Sequence, residues 1–185
     1  MERTRITIGA PALALALALA ALTDAGVARA DGELYAGGSA GGAVSFTPLV
    51  NGAFVLREEF GWHPSGNAEG FTLGLVVGEQ FGGAWAVTFH PRIGYDVPIV
   101  TSSGFAFQIG PWGMVPGVGI AQSFQGGETI VYYDMIFGVD LRFLFLDRGL
   151  TVFARAASID VGIGGPGPTV SVGYEGAVGV FANFP

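Results

Sequence analysis

The chain has 185 residues, half of them hydrophobic, with 32 glycines, no cysteine and a formal net charge of −7. Its acidity and complete lack of lysine argue against a nucleic-acid partner, and the lack of cysteine excludes a disulfide scaffold and thiolate metal sites. A positive mean hydropathy, with no apolar run of helical-span length beyond the N-terminus, fits neither an ordinary secreted domain nor a helical membrane protein.

The N-terminal segment has the layout of an export signal. Arg3 and Arg5 precede an apolar run from Ile6 to Leu22, and Ala28-Arg29-Ala30 supplies the small residues that a signal peptidase reads. The sequence predicts a signal peptide over 1–30, removed before Asp31, and, lacking an Arg-Arg pair, export by the general secretory (Sec) route. The expected mature chain, 31–185, keeps five Arg against thirteen acidic residues, a one-domain length with a net charge of about −8.

From there the chain reads as strands: roughly 33–46, 51–62, 69–79, 84–96, 105–122, 129–146, 150–162 and 169–184. Successive side chains on a strand point to opposite faces, so a long period-two pattern marks one apolar and one polar face. The first strand is rich in Gly and Ala, with Leu34, Val44 and Phe46 on one parity. The second aligns Phe54, Leu56, Phe60 and Trp62, a face broken by Glu58, and the third Phe71, Leu73, Leu75 and Val77. The fourth separates Trp85, Val87, Phe89, Ile93 and Tyr95 from Thr88, His90, Arg92 and Asp96. In the fifth the apolar parity changes, and a bulge at Gly110-Pro111, where Pro needs no ladder bond, is expected to exchange the faces. The sixth is the clearest: Val131, Tyr133, Met135, Phe137, Val139, Leu141, Phe143 and Phe145 oppose Asp134, Asp140 and Arg142. The seventh needs a second bulge near Ala156 to Ser158. The eighth sets Val170, Val172, Tyr174, Val178, Val180 and Phe184 against Glu175 and Asn183.

Turn chemistry separates these runs: Pro64 to Asn67, Gly82-Gly83, Ser102 to Gly104, Gly126-Gly127, Asp147 to Gly149 and Gly164 to Pro168. An even number of strands joined by short turns suits an all-β, eight-stranded, antiparallel up-and-down transmembrane barrel, which leaves no backbone group unpaired in lipid. With the last strand ending at the periplasmic side, the connections at 63–68, 97–104 and 147–149 would be periplasmic. Those near 47–50, 80–83, 123–128 and 163–168 would then face outward. The fifth and sixth strands are long enough to project beyond the membrane there, over residues 115 to 136.

On the export signal, the eight alternating segments and the terminal Phe184, the chain from 33 to 184 resembles the small eight-stranded outer-membrane barrels, the OmpA-type membrane domain and its OmpX-like relatives. The resemblance implies a monomer in the outer membrane of a Gram-negative cell. Its partners would be lipid and the barrel-assembly machinery, which would read Phe184 as a terminal signal although Pro185 follows it.

The motif matches carry little chemistry. Gly37-Gly38-Ser39-Ala40-Gly41 has nucleophile-elbow spacing but no helix after it, and Gly162 to Gly167 has dinucleotide-fingerprint spacing but leads into a strand. His63, assigned to a turn, and His90, on the polar parity, find no third ligand at metal spacing. The adjacent Glu58 and Glu59 point to opposite faces and so form no catalytic pair. No catalytic, cofactor-binding or metal-binding residue is assigned.

The pointed constellation is the set of inward charges: Arg57, Glu59, Arg92, Asp140, Arg142 and Glu175, with Asp96, Asp134 and Arg155 nearby. An eight-stranded barrel has room inside for side chains only, so opposite charges there predict an ion-paired plug and a structural or surface-interaction role without catalysis. Two alternatives stand beside it. A small gated pore would use the same charges, and a secreted soluble barrel of lipocalin type would turn the apolar face inward around an apolar ligand.

Overall fold

The computed structural model describes residues 32–47, 51–123, 129–164 and 169–184. The expected signal peptide lies outside the described residues. Eight strands follow one another: β1 (Glu33–Thr47), β2 (Asn51–His63), β3 (Gly70–Phe81), β4 (Ala84–Ser102), β5 (Phe105–Ser123), β6 (Thr129–Phe145), β7 (Leu150–Gly164) and β8 (Thr169–Phe184). Each pairs antiparallel with its chain neighbour, and β8 pairs with β1 from Leu34 opposite Phe184, which closes the barrel and removes every edge.

The register fixes the geometry. Cross-strand partners lead from Tyr35 through Gly61, Gly74, Arg92, Met114, Ile136, Asp160 and Gly173 back to β1 at Ser45, ten residues further along. That stagger over eight strands corresponds to a tilt of about 40°. At this tilt the 12 residues of β3, the shortest strand, advance about 30 Å along the axis, the thickness of a bilayer core.

The faces sort as the alternation predicts on β1, β2, β3, β4, β6 and β8. Exposed large apolar side chains come from all eight strands, among them Phe54, Leu75, Phe89, Val118, Phe137, Ile159 and Val178, while Arg57, Arg92, Asp140, Arg142 and Glu175 are buried within. The expected bulge of β7 is present: Arg155 pairs with Ala177 and Ile159 with Tyr174, so one extra residue lies between Arg155 and Ile159. Arg155 and Ser158 therefore both face inward.

In β5 the bulge lies elsewhere. Alternation continues unbroken through Gly110-Pro111, and the register shifts between Met114 and Gly117, where Val115 and Pro116 face the single residue Met135 of β6. On the other side Pro91 of β4 falls in the same unpaired stretch, so two residues without an amide donor sit where the ladder is interrupted. Trp112 and Met114 consequently face the lumen, not the outside. They are apolar because Trp112, Met114, Val76 and Ile136 pack together there.

Strand β4 runs to Ser102, well past the expected 97–104 turn, which shrinks to Ser103-Gly104 with Gly104 at φ 79°. Residues 97–102 extend beyond β3, whose last partner is Asp96, and pair only with β5. Among the described residues the longest overhang is therefore the β4–β5 hairpin, at the end opposite the expected 115–136 projection, of which 124–128 lie outside the described residues. At that other end only Thr129 to Val131 of β6 lack a β7 partner among the described residues. His63, expected in a turn, closes β2 and is fully buried.

Candidate functional site: the charged lumen

Five of the six predicted lumenal charges form one connected chain. Arg57 Nε donates to Glu175 Oε1 at 2.8 Å and its Nη2 bonds the other carboxylate oxygen, a bidentate pair between β2 and β8. Arg155 links Glu175 Oε1, 3.5 Å from its Nη1, to Asp140, whose Oδ1 lies 3.1 Å from its Nε. Asp140 also accepts from Arg92 Nη2 at 3.0 Å and from the Trp112 indole at 2.8 Å. Arg92 Nη1 then pairs with Glu59, which accepts at 2.8 Å from the Tyr35 hydroxyl. The chain leaves β2 at Arg57, crosses β8, β7, β6 and β4, and returns to β2 at Glu59.

Arg142, the sixth candidate, stands apart. Its Nη1 pairs with Asp96, whose carboxylate lies 3.8 Å from His63 Nδ1, and its guanidinium lies 5.5 Å from the centre of the Phe181 ring. Sequence reading placed Arg155 only at the margin of the constellation, because the β7 bulge obscures its parity. Here it bridges two carboxylates and stacks 4.2 Å from the centre of the Trp112 ring. Trp112 and Tyr35 were missed because an aromatic ring on a strand normally signals the apolar face.

Glycine makes the space for these groups. A Cβ on Gly78 would lie 2.6 Å from Arg57 Nη1, and one on Gly74 would lie 2.9 Å from the Tyr35 hydroxyl. The narrow barrel thus holds long side chains on some strands only because others present none.

One end of the lumen is stoppered. The connection between β2 and β3 folds inward so that Ala68 is buried against Ala106 and Leu144. The Ala68 amide donates to Glu33 Oε2 at 2.5 Å, its carbonyl accepts from Gln108 at 2.9 Å, and Arg148 ties this turn to the β6–β7 turn through Glu69 at 2.9 Å. At the opposite end, small side chains leave a vestibule of about 210 Å³ above Asp134 and Asp160.

The remaining motif residues take bland positions. Ser39 sits in mid-strand opposite Arg57 with no turn or helix beside it, and Gly162 and Gly164 end β7. His90 faces inward, with Nε2 3.4 Å from Asp134 Oδ1. Among the described residues no group of three His, Cys, Asp or Glu side chains is arranged to hold a metal ion. Glu58 lies outside, diagonal to Glu79 across the β2–β3 pair. A lipocalin-like apolar ligand would require the reverse sorting of faces, and charge fills the place where it would lie.

No family model and no curated protein matches the chain. Among solved structures, it is similar to Neisserial surface protein A (NspA) at a TM-score of 0.51 and 15% identity, over 82% of this chain and 96% of that one. It also aligns with the N-terminal β-barrel domain of Pseudomonas aeruginosa OprF at a TM-score of 0.49 and 13% identity, over 83% and 99% of the two chains. The fold is that of the small eight-stranded outer-membrane barrels.

Proposed function

We propose that this chain is a non-enzymatic barrel protein of the Gram-negative outer membrane, exported through the Sec route by a signal peptide over residues 1–30 that is then removed, with a structural or surface-interaction role. The observation that carries this reading is the outward face. Soluble monomers rarely expose a contiguous apolar patch beyond about 600 Å², yet here Val, Leu, Ile and Phe side chains cover the barrel on every strand while the guanidinium groups of Arg57, Arg92, Arg142 and Arg155 lie inside. Lipid is the surrounding that removes this contradiction.

Trp85, Tyr133 and Tyr174 toward one end and Tyr95, Phe145 and Phe184 toward the other give the outward face aromatic margins. Phe184 faces outward on the closing strand, as a terminal assembly signal would. The lumen serves as a plug, because the Arg57 to Glu59 chain crosses it and the β2–β3 turn stoppers one end. With both sheet edges consumed in closure, the barrel is a monomer that needs no partner strand.

Cell fractionation tests the reading. The full chain expressed in a Gram-negative host should sediment with the outer membrane, lose residues 1–30 and migrate differently on gels before and after boiling. Recovery from the soluble periplasmic fraction would overturn it.

A further inference from the structure

We propose that the vestibule between the open ends of β1, β3, β6 and β7 binds the ammonium group of a small organic cation, with Asp134 and Asp160 as its counter-ions. The lumen's own charges leave these two carboxylates over. Arg57, Arg92, Arg142 and Arg155 find partners in Glu59, Asp96, Asp140 and Glu175. Neither Asp134 nor Asp160 is ion-paired with an arginine among the described residues: Arg57 faces both only across the gap beneath them, and His90, 3.4 Å from Asp134, counts only when its imidazole is charged.

Burial sharpens the point. Asp134 is only 5% exposed, and Oδ1 of both aspartates is buried without a hydrogen-bond partner. A buried carboxylate left unpaired is costly, and it is relieved by a proton, an ordered water or a bound cation. Both carboxylates line the vestibule, and only a gap of about 10 Å³ separates them from the Arg57–Glu175 pair beneath. That is room for about one water. Relief must therefore come from above.

The walls decide what kind of cation fits. Ala43, Ala53, Ala86 and Ala121 share the walls of a space of about 210 Å³ with the polar side chains of Asn51, Gln80 and Ser171, and Tyr132 adds an aromatic wall. Mg²⁺ and Ca²⁺ want six or more oxygens, and no three ligating side chains converge among the described residues. Two carboxylates beneath an alanine-lined collar suit an ammonium group carried on a short apolar chain. Arg57 lines the small gap beneath these aspartates, but its guanidinium is held by Glu175 in a bidentate pair, and the chain has no lysine to compete. The site itself stands on the geometry; only its position on the outer side of the cell rests on the reading above.

The test is titration of the full chain, folded in a nonionic detergent, with n-butylammonium and putrescine. Saturable binding at one site is expected, with a loss of about tenfold or more in D134N/D160N, since a charge-assisted hydrogen bond contributes about 1.5–3 kcal/mol. Because it removes unpaired buried charge, the double variant should melt higher than the parent, which shows that it folds. A121L, which fills the collar but keeps both carboxylates, should lose binding as well. Equal affinity for butanol, undiminished binding in either variant, or stronger binding of Mg²⁺ than of butylammonium would overturn the proposal. Failure here leaves fractionation unchanged, and a soluble protein could still bind the amine, so the two readings fail separately.

Discussion

Glu175 accepts from Arg57 and Arg155, and Asp140 from Arg155, Arg92 and the Trp112 indole, so each carboxylate holds several buried donors at once. Removing one partner of such a pair leaves charge uncompensated in a dry space, and Glu175→Ala or Asp140→Ala should each destabilise the barrel by about 3–5 kcal/mol. Equilibrium unfolding in urea, followed by gel shift, measures this. Arg148, paired with Glu69 at the partly exposed turn, provides the contrast, and Arg148→Ala should cost no more than about 1 kcal/mol. The charges were legible in the sequence because each sits on the polar parity of a strand that alternates without interruption. Their pairing was not. Arg142 joins Asp96 and not the main chain of charges, a choice made by heights in the barrel that follow from the stagger. Trp112 was illegible for a different reason: an indole whose ring packs against Met114 while its N–H reaches Asp140 looks, in sequence, like a lipid-facing aromatic.

The strands themselves were readable to within a few residues, except where β4 runs on to Ser102 through Pro98. A turn was expected from 97 on, but beyond Asp96 this strand has lost its β3 neighbour, so the absent amide donor of Pro98 leaves no ladder bond unmade on that side. The β5 bulge was misplaced because Gly110-Pro111 is a stronger local signal than Val115-Pro116, whereas the shift follows the packing of Trp112 and Met114. Deleting Pro116 should remove the extra residue, set Val115 opposite Met135 in a regular ladder, keep Val118 and Ile120 outward and preserve the boiling-dependent gel shift. Loss of that shift, with Val118 and Ile120 turned inward, would place the bulge elsewhere. The depth of the lipid-facing band is tested on two strands. Val178, 65% exposed in the middle of β8, should tolerate arginine poorly, at a cost of about 2–4 kcal/mol, whereas Val131 near the end of β6 should lose about 0–1 kcal/mol. Stability that falls equally at both positions would contradict a bilayer around the barrel.

At the scale of the whole molecule, eight strands at a stagger of ten enclose a space that side chains fill. The ion chain spans it and the inward-folded turn at Ala68 stoppers it, so the purified protein in planar bilayers should show no steady conductance. Ohmic channels that disappear with changes at Arg92 would instead establish a pore. The central claim is the sorting of faces, apolar to lipid and charged to the lumen, and the tryptophans report on it directly. Trp85, 38% exposed, faces outward and Trp112, 5% exposed, faces inward. Single-tryptophan variants, W62F/W112F and W62F/W85F, folded into vesicles whose acyl chains carry bromine, should differ sharply: strong quenching for Trp85 and little for Trp112. Quenching of Trp112 with Trp85 silent, or of neither, would contradict the account.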